Sequence, residues 1–206
     1  MRTWLFKTEP KDFSLQDLRA APDQTTGWDG VRNYQARNRL RDEIQDGDRV
    51  LIYHSRGKNP SIVGEARVTS APYPDPTQFN PDHSGYDPRS SEDMPRWYQV
   101  DVRYVTTYKT PLPLSEMRQR AEFADLELVI RPRLSIQSIT DRQYQQILAL
   151  CEPELSVVGA CSRPSPEPCP VLKHERRRPP AAPHLRAVRR AAPGASRPEP
   201  ALHALA

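Results

Sequence analysis

Short apolar runs alternate with polar breakers through the first 150 residues, and each run carries the period of a strand or of a helix. Thr3 to Lys7 reads as an opening strand, Trp-Leu-Phe between polar flanks, and Pro10 ends it. Ser14 has the character of an N-cap, and Asp17 at the third helical position completes a capping box that opens a short helix through Leu15 and Leu18. A loop from Gln24 leads to Asn33, a second cap, after which Ala36, Leu40 and Ile44 recur on one helix face. Gln45-Asp46-Gly47-Asp48 breaks that helix. Strands follow at Arg49 to His54 and Ile62 to Val68, separated by a polar turn around Gly57 to Pro60.

Residues 71 to 96 form a long Pro-, Asp- and Ser-rich stretch. Its length in a compact domain goes with function or with disorder, and Tyr73, Phe79 and Tyr86 favour function. From Tyr98 to Tyr104 the pattern has period two, with Tyr98, Val100, Val102 and Tyr104 on one face of a half-buried strand. Leu114 to Arg118 suggests a helical turn, Leu126 to Ile130 a further apolar segment, and Arg133 to Ile139 another strand. Thr140 with Gln143 repeats the capping-box logic and starts a last helix ending near Leu150. No internal repeat is present. The expectation is a mixed α/β (α+β) domain, residues 1–150, built on a curved or barrel-like sheet.

Composition separates this domain from the remainder of the chain. From Cys151 onward there are nine Lys/Arg against five Asp/Glu, which leaves 21 of each before it, so the formal charge of +4 belongs to the tail. The same segment, 151–206, holds eleven of the 23 prolines, all three cysteines and no aromatic residue. It reads as a disordered Pro/Ala/Arg-rich tail, either a tether or the product of a frameshift in a GC-rich gene. The formally neutral domain excludes bulk electrostatic attraction as its main hold on a nucleic acid. Cysteine spacing gives neither a disulfide framework nor a zinc site, and no apolar run suits a signal or a membrane span, so a cytoplasmic chain is expected, or a nuclear one in a nucleated cell.

Candidate chemistry concentrates in WDGVRNYQARN, Trp28 to Asn38. An indole, a tight-turn pair at Asp29-Gly30, Val31, Arg32 and the capping amide of Asn33 fall where a loop becomes a helix. That suits the lip of a pocket for a flat polar ligand. Trp4 has two readings, core or pocket, and Lys7 with Glu9 reads as a pocket pair or a surface ion pair. Arg37 with Asn38, and Arg133 with Ser135, suit phosphate contacts or a solvated face. His54 and Ser55 are adjacent on a strand and point to opposite faces, so they make no nucleophile–base pair. Two histidines and no cysteine before residue 151 leave metal ligation without a motif, and no catalytic residue, metal or cofactor is assigned.

The blocks WLFKTEP, WDGVRNYQARN, GDRVLIYHS, APYPDPTQFN, YDPRS, PRWYQVDV and RLSIQSIT, in unbroken order over residues 2 to about 150, resemble the EVE domain, found in the thymocyte nuclear protein family and bacterial relatives. The resemblance implies a PUA-like fold, a strongly curved β-barrel flanked by helices and related to YTH and ASCH domains. It also implies a module that reads a modified base in DNA, modified cytosine above all, with RNA as the alternative nucleic acid; a non-catalytic monomer is expected. A base can be enclosed only after extrusion from its stack, and the pocket then needs aromatic faces with fixed donors and acceptors. Trp4, Lys7, Glu9, Trp28, Gly30, Val31, Arg32, Asn33, Tyr53 and His54 are the base-binding candidates, and Arg37, Asn38, Arg133 and Ser135 the backbone-binding ones. Replacing Trp28 by alanine is then expected to abolish discrimination and leave melting nearly unchanged. The alternative is a small amidohydrolase acting on a modified nucleoside, as some ASCH relatives are, using Lys7, Thr8 and Glu9.

Overall fold

The computed structural model describes residues 1–152, and the proline-rich segment beyond lies outside the described residues. The opening strand, β1 (Thr3–Thr8), is the parallel neighbour of β3 (Arg49–His54). Their alternation explains the architecture. Trp4 and Phe6 of β1 and Val50 and Ile52 of β3 enter one buried cluster, while Leu5, Leu51 and Tyr53 enter another on the opposite face. A strand pair apolar on both faces must be covered twice. The first face is closed by α1 (Leu15–Ala20) and α2 (Tyr34–Asp42). The second is closed by α3 (Leu114–Gln119), α4 (Glu127–Ile130) and α5 (Asp141–Leu150).

The sheet has six strands in the order β2-β7-β4-β3-β1-β8, with β2 at Thr25–Gly27, β4 at Ser61–Val68, β7 at Asp101–Pro113 and β8 at Ile136–Ile139. Register shifts at Ile52/Tyr53, Ile62/Gly64 and Glu65/Ala66 mark irregularities of the kind that bend a strand and increase its twist. The result is a curled half-barrel with helices around it, the expected fold class. A separate ribbon pairs β5 (Tyr73–Pro74) with β6 (Tyr98–Gln99).

Both capping boxes form as expected, Ser14 with Asp17 and Thr140 with Gln143, because each needs only residues three apart. Three expectations change. The Gln24–Asn33 loop contains β2, an edge strand too short to carry a period. The Tyr98 strand divides at Val100, and Gln99 is buried, its amide N–H donating to the Tyr73 hydroxyl at 2.7 Å. The strand expected from Arg133 begins only at Ile136.

The long 71–96 segment is ordered around buried polar groups. Gln78 donates to the carbonyls of Asp75 and Trp97, and its own side-chain oxygen accepts the amides of Arg96 and Trp97. Trp97 is buried and its indole N–H donates to Asp87 at 2.9 Å. At the other end of the domain, Cys151 caps α5 and is buried, and Lys109 N–H donates to the Glu152 carbonyl, so the fold runs past Leu150.

Gly64 sits where α1 and β7 close on β4. A Cβ there would lie 2.3 Å from the Thr106 carbonyl oxygen and 2.5 Å from a Leu15 methyl. Gly64→Ala is therefore expected to cost about 1–3 kcal/mol by overpacking, read as a lower urea midpoint. Full stability in that variant would mean the sheet opens there without penalty.

Candidate functional site

Beside the end of β1, the chain leaves a cleft of about 340 Å³ lined by Lys7, Thr8, Asp12, Phe13, Thr26, Gly27, Trp28 and Asp29. Its aromatic wall is built from the strand upward. Phe6 on β1 meets Trp28 with ring centroids 5.3 Å apart, and Phe13, on the turn before α1, meets the same indole edge-on at 6.3 Å. The Trp28 amide donates to the Val100 carbonyl at 2.8 Å, which fixes the residue at the end of β2. The indole N–H has no hydrogen-bond partner among the described residues.

The polar groups of the cleft have opposite signs. Lys7 donates its ammonium to the Pro132 carbonyl and lies 5.7 Å from the centroid of the Tyr53 ring, and partial burial lowers its pKa. Asp29 keeps an exposed flank but forms no ion pair among the described residues. Partial burial of its carboxyl raises the pKa, and the neighbouring Asp75 charge adds to the rise. An unpaired carboxylate and an aromatic wall share one small cleft, with Lys7 at its rim and its ammonium turned to Pro132 and Tyr53, an arrangement that suits a flat ligand carrying both donors and acceptors.

A second depression, of about 330 Å³, is lined by Asn33, Gln35, Arg131, Pro132, Arg133 and Leu134. Lys7 touches both, since it lines the cleft and holds the Pro132 carbonyl.

The EVE domain family model matches residues 2–150. The chain belongs to the EVE domain family. This EVE domain is 41% identical to thymocyte nuclear protein 1 of Homo sapiens, over 74% of the chain and 75% of that protein. Among solved structures, the human THYN1 protein in complex with 5-methylcytosine containing DNA is similar, with a TM-score of 0.69, 41% identity and coverage of 73% of this chain and 97% of that one. A protein from Pseudomonas putida has a TM-score of 0.67 at 41% identity, covering 72% and 98%.

Of the residues singled out from the sequence, Lys7 and Trp28 are brought together in the cleft of this EVE domain. Others turn out to hold the fold. Trp4 is 1% exposed and its indole N–H donates to Asp48 at 3.0 Å, so it belongs to the core and does not line the Trp28 cleft. Tyr53 is buried among the residues of the opposite core, because strand parity places it with Leu51 and away from Trp28. Val31 is buried in the first core. Glu9 pairs with Arg56 at 2.9 Å and does not line the cleft. Gly30 supplies a positive φ of 70° and gives its amide to Asp75 at 3.1 Å. Arg32 spends its fork on the 71–96 segment, with Asp75 at 2.7 Å, Thr77 at 2.8 Å and the Gly85 carbonyl.

Asn33 caps α2 by accepting the Ala36 amide at 3.0 Å, and sits in the second depression with Arg133. Ser135 gives its carbonyl to the Lys7 amide. Arg37 donates to the Arg96 carbonyl at 2.7 Å and to the Asn38 side chain at 2.8 Å, and neither residue of this pair lines the depression that holds Arg133. Lys7, Thr8 and Glu9 do not converge as a catalytic set, since Thr8 donates to the Phe13 carbonyl at 2.7 Å while Glu9 faces Arg56.

His54 serves the start of α1, where its Nε2 accepts the Leu15 amide at 3.1 Å. Burial lowers its pKa, against the opposing charge of Asp17. The folded chain therefore binds this proton less readily than the unfolded chain, and stability falls as the pH drops below about 6.5. Urea midpoints measured at pH 7 and pH 5 should show this loss, and His54→Gln should reduce it. An equal loss in the variant would assign the acid sensitivity to other groups.

Asp12, Phe13, Thr26, Gly27 and Asp29 were not among the sequence candidates. Asp29 carried a signal, a carboxylate next to Trp28 with no basic neighbour inside its turn. Phe13 carried only its isolation as an aromatic between Pro10 and Ser14.

Proposed function

We propose that this EVE domain binds DNA at a modified cytosine, holding the base, turned out of its stack, in the Trp28 cleft. The observation that carries the reading is the polarity of that cleft. A cytosine edge presents an exocyclic amine beside a ring nitrogen and a carbonyl oxygen. Asp29 supplies an acceptor for the amine, and Lys7 and the free indole N–H supply donors for the carbonyl oxygen. A methyl at the ring's fifth carbon would lie against Phe13 and Trp28, where apolar contact favours it. The similarity to a protein solved with 5-methylcytosine containing DNA supports the same ligand class. Arg133, beside the cleft through Pro132, is placed to take a phosphate of the strand, and the neutral domain charge makes such contacts subsidiary to the pocket.

Oligonucleotides identical except for one cytosine, 5-methylcytosine, 5-hydroxymethylcytosine or N6-methyladenine, titrated by fluorescence anisotropy, test this directly. A modified cytosine is expected to bind tightest. Equal binding by all four that vanishes with moderate salt would leave only a polyelectrolyte contact and sink the proposal.

A further inference from the structure

A second aromatic feature lies apart from the cleft, on the first turn of α2. Tyr34 is 47% exposed, although its ring is held firmly. It stacks on the buried Trp97, with centroids 5.1 Å apart and planes at 28°. The Arg96 guanidinium donates to its hydroxyl. Arg37 lies 5.0 Å from the Tyr34 centroid and 6.0 Å from that of Trp97. A group covering the outer face of Tyr34 would lie about twice as far from Trp97 as the Tyr34 ring does, so Arg37 flanks the stack at its side. Arg96, 5.7 Å from the same centroid, is held at the hydroxyl end, so two guanidinium groups border a ring that is fixed yet keeps about half its surface exposed. Arg37 forms no ion pair with a carboxylate among the described residues, whereas Arg96 faces Asp87 at 3.5 Å.

A half-exposed, immobilised aromatic ring with a guanidinium beside it matches the pairing of base stacking and phosphate contact used in single-strand binding. The ring is also mechanically linked to the cleft. Arg32 lies 5.5 Å over the other partner ring, Trp97, and binds Asp75, which in turn accepts the Gly30 amide next to Asp29. We infer that Tyr34 is a stacking platform for a second nucleobase of the same DNA strand, with Arg37 on the adjoining phosphate. This rests on the DNA-binding reading above, and adds a contact that is indifferent to base modification.

The test uses a single-stranded dodecamer with and without one 5-methylcytosine. Tyr34→Leu keeps apolar cover on Trp97 and removes the ring, so it should weaken binding of both oligonucleotides about 5- to 100-fold, with their affinity ratio unchanged. Tyr34→Phe should stay near the parent. Arg37→Gln should reduce the slope of log affinity against log salt by about 1. Parent-like binding by a folded Tyr34→Leu variant, or a changed affinity ratio, overturns the platform. If the parent shows no preference for the modified base yet Tyr34→Leu weakens both oligonucleotides, the cleft reading fails and the platform stands. With a preserved preference and parent-like Tyr34→Leu binding, the platform fails and the cleft reading stands.

Discussion

Trp28→Ala is expected to lower the stability of the domain by about 3–5 kcal/mol, the usual cost of truncating a buried aromatic. The indole is only 8% exposed and packs against Phe6 and Phe13, so its removal opens a cavity at the end of β1 as well as stripping the cleft. This corrects the expectation that the variant would melt nearly unchanged. Against a total stability of about 5–15 kcal/mol, such a loss removes between about a fifth and all of it, and at the low end brings the transition to working conditions. Urea denaturation followed by tryptophan fluorescence gives the loss, with Trp4 and Trp97 still reporting. Binding must then be compared at a temperature where the variant is fully folded. Trp28→Phe separates the two roles more cleanly, since it keeps an aromatic face while removing the unpartnered N–H. A Trp28→Ala variant with an unchanged midpoint would show that Phe6 and Phe13 close over the gap.

The contrast between Trp4 and Trp28 shows what the sequence could and could not decide. Trp4 lies within β1 and Trp28 directly after β2, and composition treats them alike. Trp4 is fixed by Asp48, 44 residues away, an interaction that no local pattern announces. Strand parity did carry information. It puts Trp4 with Phe6 and sends Tyr53 to the other side with Leu51, but only pairing in space identifies which side faces the cleft.

Features closed within three or four residues were legible, namely the Ser14 and Thr140 capping boxes and the Asn33 cap. The polar hub of Arg32, Asp75, Thr77 and Gly85 was not. Its members are separated by more than 40 residues from Arg32, so the arginine looked like a ligand-binding group when it is the anchor of the 71–96 segment. The EVE blocks identified the family over the right residues, yet a block match does not distinguish a residue kept for the fold from one kept for the ligand. Lys7 and Glu9 share one block, and only Lys7 lines the cleft.

Asp29→Asn is expected to make the protein more stable at neutral pH, because a partly buried carboxylate without an ion pair costs the fold, and, on the proposed reading of the cleft, less selective. Burial and the Asp75 charge raise its folded-state pKa above the ordinary value of about 3.9. The folded chain therefore holds this proton more tightly than the unfolded chain. The corresponding stabilisation is complete below about pH 3.9 and is lost as the pH rises through the folded value. An asparagine has no such loss. Parent and variant should consequently have similar urea midpoints near pH 3.5, relative to a gap favouring the variant at pH 7. The effect on binding follows from the edge being read. A carboxylate accepts the amine of 5-methylcytosine and repels the carbonyl that replaces it in thymine. An amide can present either its oxygen or its N–H to that position. Preference for 5-methylcytosine over thymine in otherwise identical oligonucleotides should therefore shrink about 10- to 100-fold in the variant, the value of one hydrogen bond to a charged group. If the preference survives Asp29→Asn intact, the amine is read by another residue and Asp29 only shapes the turn.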